Sequence, residues 1–146
     1  MKKLFILPLL LVALSGCSLI EEATNGLQYT EDVTQFIADA EEFSSDLPQL
    51  IEQAQNDATA FADVEQRLQE FQTEIEEVQS LNPPELAESI HNDLMGYTEQ
   101  LESGVEEMIQ AAQEQVINIE AVENSALFQA IRDIQEIQQN LNQLGE

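Results

Sequence analysis

Residues 61–80 read FADVEQRLQEFQTEIEEVQS. Apolar side chains stand at Phe61, Val64, Leu68, Phe71, Ile75 and Val78, in steps that alternate between three and four. This is the a/d spacing of one face of an α-helix, and Glu65, Glu70, Glu74, Glu76, Glu77 and glutamines fill the remaining positions. So narrow a stripe is covered either by other helices of the same chain or by a second copy in a coiled coil.

The same period extends outward in both directions. Upstream, Tyr29, Val33, Phe36, Ile37, Ala40 and Phe43 form a first stripe, and Leu50, Ile51 and Ala54 prolong it beyond Pro48. Proline lacks an N–H and crowds the preceding turn, so Pro48 is expected to kink or divide that helix. Downstream, Asn82-Pro83-Pro84-Glu85 ends the second helix and opens a third. Asn82 suits a cap, Pro83 a first turn, and Glu85 the positive end of the helix dipole. The third stripe comprises Leu86, Ile90, Leu94, Tyr97, Leu101, Val105, Met108, Ala112 and Val116, with Gly96 and Gly104 inside it. Each glycine costs about 1 kcal/mol relative to alanine, and a break near Gly104 is one possible outcome. Ser125 caps a last helix carrying Leu127, Ile131, Ile134, Ile137, Leu141 and Leu144, which stops at Gly145.

No segment shows the β-branched alternation or hairpin turns of strands. Four amphipathic helices with short connections predict an all-α, antiparallel (up-down) four-helix bundle over residues 29–146, with a coiled-coil dimer as the alternative to the monomer. Asn25-Gly26 is expected to separate this bundle from what precedes it.

The N-terminus is of a different kind. Met1-Lys2-Lys3 leads into an apolar run, Leu4 to Leu14, interrupted only by Pro8. This is a secretory leader in length and too short to span a bilayer. It ends in Leu14-Ser15-Gly16-Cys17, and Cys17 is the only cysteine in the chain. That order resembles the lipobox of bacterial lipoproteins. The resemblance implies that the Cys17 sulfur carries a diacylglycerol and that the chain is cut before Cys17. Residues 1–16 would then be signal peptide and residues 17–28 a lipidated tether. Two acyl chains hold a protein stably on a membrane where one does not. The thiol, once consumed, is open to no disulfide, nucleophilic or metal-binding role. The layout as a whole is a lipobox, a short acidic tether, four helices, a Pro-Pro-Glu start and a terminal Leu-Gly. It is similar to the YjhA-like group of small uncharacterised lipoproteins from Bacillus-type bacteria. That likeness implies a Gram-positive membrane surface and supplies no active site.

From Cys17 onward 29 acidic residues face only Arg67 and Arg132, a formal net charge of −27. Such a chain has no basic patch to displace phosphate counterions, which argues against nucleic acid. It should also stand off from anionic headgroups, leaving the diacylglycerol on Cys17 as the contact with the membrane. High charge with few aromatics is a signature of disorder, but here the apolar residues are periodic, and order is expected. The acidity is equally compatible with adaptation to salty or alkaline surroundings.

Candidate chemistry is sparse. Glu88-Ser89-Ile90-His91 has the Glu-x-x-His form that builds di-iron centres in bundles, but such a centre takes two of these motifs and the chain has one histidine. His91 is therefore read as flanking the Leu86–Ile90–Leu94 stripe. Acid pairs such as Glu41-Glu42, Glu76-Glu77 and Glu106-Glu107 point about 100° apart on a helix and do not converge. No calcium loop, phosphate loop or serine-nucleophile elbow occurs. No metal site, cofactor or catalytic residue is expected. The sequence points instead to a non-enzymatic, lipid-anchored bundle on the extracytoplasmic face of the cell membrane. Its role would be to bind an envelope protein or to space the surface, or alternatively to hold a small ligand or divalent cation. An exposed apolar stripe over residues 61–78 would favour a protein partner, and a closed cavity with a few polar groups would favour a ligand.

Overall fold

The computed structural model describes the backbone of residues 16–144 and the side chains of residues 24–143. The chain is all-α, with four long helices: α1 (Gly16–Asn56), α2 (Phe61–Gln79), α3 (Glu88–Gln113) and α5 (Ala126–Leu144). A short helix, α4 (Ile119–Glu123), precedes the last of these, and no strand occurs among the described residues. The helices form a closed ring in which α1 packs on α2, α2 on α3, α3 on α5, and α5 back on α1. Antiparallel register between α2 and α3 is marked by Gln113 Nε2 donating to Glu65 Oε1 (2.8 Å) and Gln79 Nε2 to Glu102 Oε2 (3.4 Å).

The stripes read from the sequence turn inward, apart from Leu86 and Val116 at the two ends of the third. Val64, Leu68, Phe71, Ile75 and Val78 are buried between α1 and α3, so the heptad seam of α2 is covered by the chain's own helices. Around Phe71 the core is aromatic: its ring stacks on Phe43 with centroids 4.0 Å apart and lies parallel to Phe36 at 6.2 Å. Thr98 is the one buried polar residue among those described, and its hydroxyl donates to the Met95 carbonyl at 2.9 Å.

Several local expectations are corrected. Pro48 does not divide α1, which continues to Asn56. Around this proline Ser44 and Ser45 return their hydroxyls to the Glu41 carbonyl, and buried Leu47 and Ile51 hold the helix to the core on either side. Asn25-Gly26 does not end the helix either. Residues 17–28, the segment between Cys17 and the core, are helical and continuous with α1, and Thr30 Oγ1 donates to the Gly26 carbonyl at 2.9 Å. The helix nevertheless starts before the core does, since Tyr29 is the first buried residue among the described side chains.

Asn82 is not a cap, and Pro83 is not in a first turn. Residues 81–84 are extended, Glu85–Ala87 forms a 3₁₀ turn, and α3 starts only at Glu88. The reason is steric: Pro84 bars Pro83 from helical geometry. Gln79 at the end of α2 meets Glu102 rather than the start of α3, so the first turns of α3 run past α2 and the extended segment spans that distance. The 3₁₀ turn also changes the helical phase. Ala87 is buried and Leu86 is 81% exposed.

At its other end α3 passes through Gly104 without a break and stops at Gln113, leaving Val116 64% exposed. Gln115 takes a left-handed φ of 56°, its N–H donating to the Ala112 carbonyl (3.0 Å) while Val116 N–H donates to Ala111 (2.9 Å). These two bonds are a Schellman cap with glutamine in the place usually taken by glycine. Ser125 caps α5 as expected, accepting from Phe128 N–H at 3.3 Å. The side chain of Leu144, and Gly145 altogether, lie outside the described residues.

Candidate functional site

The residues assigned to the lipobox fall at the edge of the described chain. Leu14 and Ser15 lie outside it, while Gly16 and Cys17 open α1 without described side chains. Among the described residues no helix is long and apolar enough to cross a membrane.

His91 holds a contact that its sequence position does not suggest. It stands in the first turn of α3, and its Nδ1 lies 3.2 Å from the hydroxyl of Tyr29, with ring centroids 5.8 Å apart and planes tilted by 58°. Burial pushes the Tyr29 phenol up to about 12 and lowers the basicity of His91. Glu88, the other half of the Glu-x-x-His pattern, is exposed. No group of three or more potential metal ligands converges among the described residues.

A groove of about 350 Å³ lies between α1 and α2. Phe36, Val78 and Leu81 provide its apolar lining, and Asp32, Asp39, Glu74 and Glu77 its carboxylates. Glu74 is the unusual member. One oxygen accepts from Arg67 at 3.3 Å, while the other, Oε2, is buried without a hydrogen-bond partner. Burial raises its pKa above the ordinary glutamate value; Arg67 offsets this in part, and the negative charge of Asp39 adds to it. Arg67 in turn lies over the Phe43 ring, its guanidinium carbon 5.2 Å from the centroid, so one of the chain's few cations is anchored by an aromatic and a carboxylate together.

Neither arrangement was legible as a site beforehand. Arg67 and Glu74 are seven residues apart and so share a helix face, which is a weak signal; Tyr29 and His91 are 62 residues apart and give none. Of the two discriminating features, the 61–78 stripe is buried, and the grooves beside the helices are open rather than closed cavities.

The chain is 27% identical over 136 residues to the uncharacterized lipoprotein YybP of Bacillus subtilis (strain 168), covering 93% of this chain and 92% of that protein. It thus resembles a small uncharacterised lipoprotein, and the relative found is not a YjhA protein. No solved structure matches. A family of unknown function, DUF6376, matches residues 29–144, from the first buried residue of α1 to the last residue of α5. The chain belongs to that family, and the match spans the helical bundle.

Proposed function

We propose that the chain is a lipid-anchored, non-catalytic protein of the extracytoplasmic face of the cell membrane, whose acidic bundle docks another envelope protein or spaces the membrane surface. In this reading residues 1–16 are removed and Cys17 carries a diacylglycerol. The lipoprotein name and the Bacillus origin of the relative support the anchor and a Gram-positive setting.

The observation that carries the spacing role is the continuity of α1. One helix runs from Gly16, beside Cys17, into the core at Tyr29. At 1.5 Å per residue, about 18 Å of helix separates the lipidated residue from the bundle. A net charge of −27 beyond the leader keeps that bundle away from anionic lipid. The apolar stripes of the four long helices are engaged in the chain's own core, so a protein partner would meet a polar, acidic surface.

The test begins with labelling by a fatty-acid analogue. Wild-type protein should incorporate the label and lose residues 1–16, and the Cys17→Ala variant should remain an unlabelled precursor. Photo-crosslinkers at exposed Glu106 and Glu107 in living cells then report a partner. An unmodified Cys17 in wild-type membrane fractions, by mass spectrometry, would remove the anchor, and a bundle without discrete cross-links would leave spacing as the role.

A second reading is favoured by Glu74. Its unpartnered Oε2 beside Asp32, Asp39 and an apolar wall suits a small organic cation better than a metal ion. Calorimetric titration with a diamine tests this: binding to the wild type that disappears in Glu74→Gln supports it, and equal heats from both proteins count against it.

A further inference from the structure

We propose that the Tyr29–His91 hydrogen bond is a proton-operated latch at the end of the bundle nearest Cys17, closed while the imidazole is neutral and released when Nδ1 takes a proton. The placement is the first argument. α1 and α3 stand diagonally in the ring and do not pack along their lengths, and α2 ends above the first turns of α3. At this level the side-chain bond from Tyr29 to His91 joins α1 to α3 directly. Tyr29 is also the residue at which α1 enters the core.

The second argument is hydrogen-bond chemistry. Tyr29 stays un-ionised up to about pH 12, so its O–H is available to donate, and Nδ1 accepts when the ring hydrogen is on Nε2. Adding a proton at Nδ1 sets two donors against one another. The phenol must then turn its lone pair to the ring, and its own hydrogen loses its partner in a side chain that is almost fully buried.

The ionisable side chains near this level are Glu31 and Asp32 on α1, Glu85 before α3, and Glu88 and Asp93 on α3; α2 ends short of it at the level of Glu102, and α5 has none between Glu136 and Leu144. None of them holds the imidazolium. Burial is what shifts His91, and it acts downward from 6.5. The stabilisation is therefore complete above pH 6.5 and is lost as the pH falls through the folded-state value.

Hydrogen exchange of the full chain in detergent micelles, at pH 7.5 and 5.0 and corrected for intrinsic rates, reads the latch. In the wild type, amides around residues 29–36 and 88–95 should exchange about tenfold faster at the lower pH while those around residues 64–75 hold their protection. His91→Gln, which keeps an acceptor but takes no proton, should show no such step. Tyr29→Phe should be weakly protected in both segments at both pH values. Equal protection of the wild type at the two pH values would overturn the proposal, as would the same acid step in either variant. Should His91→Gln fail to fold, nitrogen chemical shifts of His91 in the wild type decide the matter. An Nε2–H tautomer at neutral pH supports the latch, and an Nδ1–H tautomer overturns it.

Discussion

Gly104 of α3 faces Leu127 of α5 so closely that a Cβ built on the glycine would lie 2.7 Å from the Leu127 Cβ and 3.3 Å from its Cα. Those atoms belong to or adjoin the backbone, so no rotamer change relieves the clash. Gly104→Ala should gain about 1 kcal/mol of helix propensity and lose more to overpacking, which typically costs 1–3 kcal/mol. Gly96 has nothing within 4 Å of the corresponding position, and Gly96→Ala should be stabilising by about 0.5–1 kcal/mol. Urea denaturation of both variants checks the pair; the same sign for both changes would contradict it.

The left-handed Gln115 offers the reverse experiment. A side chain pays for this conformation where glycine does not, and the cap bonds to Ala111 and Ala112 are made by the backbone alone. Gln115→Gly should raise stability by about 0.5–1 kcal/mol, after the larger chain entropy of glycine is discounted. A lower melting temperature would show that the glutamine side chain contributes something beyond the cap.

Phe71 stacks with both Phe36 and Phe43 in the core and is fully buried, as is Leu68 one turn earlier. Phe71→Ala should destabilise by about 3–5 kcal/mol and Leu68→Ala by about 2–5 kcal/mol. Losses below 1 kcal/mol in denaturant titrations would mean that the seam of α2 is not the centre of the core.

Glu74 should give a pH signature opposite to that of His91. Its folded-state pKa lies above the ordinary value of 4.5, so it binds its proton more tightly in the folded chain. Its contribution is present below 4.5 and is lost as the pH rises through the folded-state value. Stability measured from pH 7.5 down to 4.5 should therefore improve more in the wild type than in Glu74→Gln. Parallel curves for the two proteins would mean that the buried oxygen has found another partner.

The surface charge predicts a rise in melting temperature with sodium chloride, because screening at 0.1 M reduces the Debye length to about 10 Å. Calcium and magnesium should act at lower concentrations but alike, since no group of three ligands converges among the described residues. A saturable, calcium-selective rise at micromolar concentration would point to a cation site instead.

What the sequence by itself determined is whatever depends on neighbours along the chain. Helical stripes such as Val64–Leu68–Phe71–Ile75–Val78 repeat every turn and must be covered, so the all-α bundle followed from spacing alone. The order Leu14 to Cys17, which resembles a lipobox, is linear too, and the anchor it leads us to propose needs no fold to be read. Tertiary structure decided the rest. It chose α1 and α3 to cover α2. It carried α1 through Pro48 because Leu47 and Ile51 are buried on either side, overriding a local preference worth a few kcal/mol. It made Gly104 a contact with Leu127 rather than a break, and it exchanged Leu86 for Ala87 in the core when the distance between α2 and α3 had to be spanned by an extended Pro-Pro segment. The short helix α4, capped by Asn118 accepting from Ala121 N–H, escaped notice because five residues are too few to show a period. The groove at Glu74 and the Tyr29–His91 bond were hidden for a further reason: their partners come from different helices, and only packing sets how far along one another those helices slide.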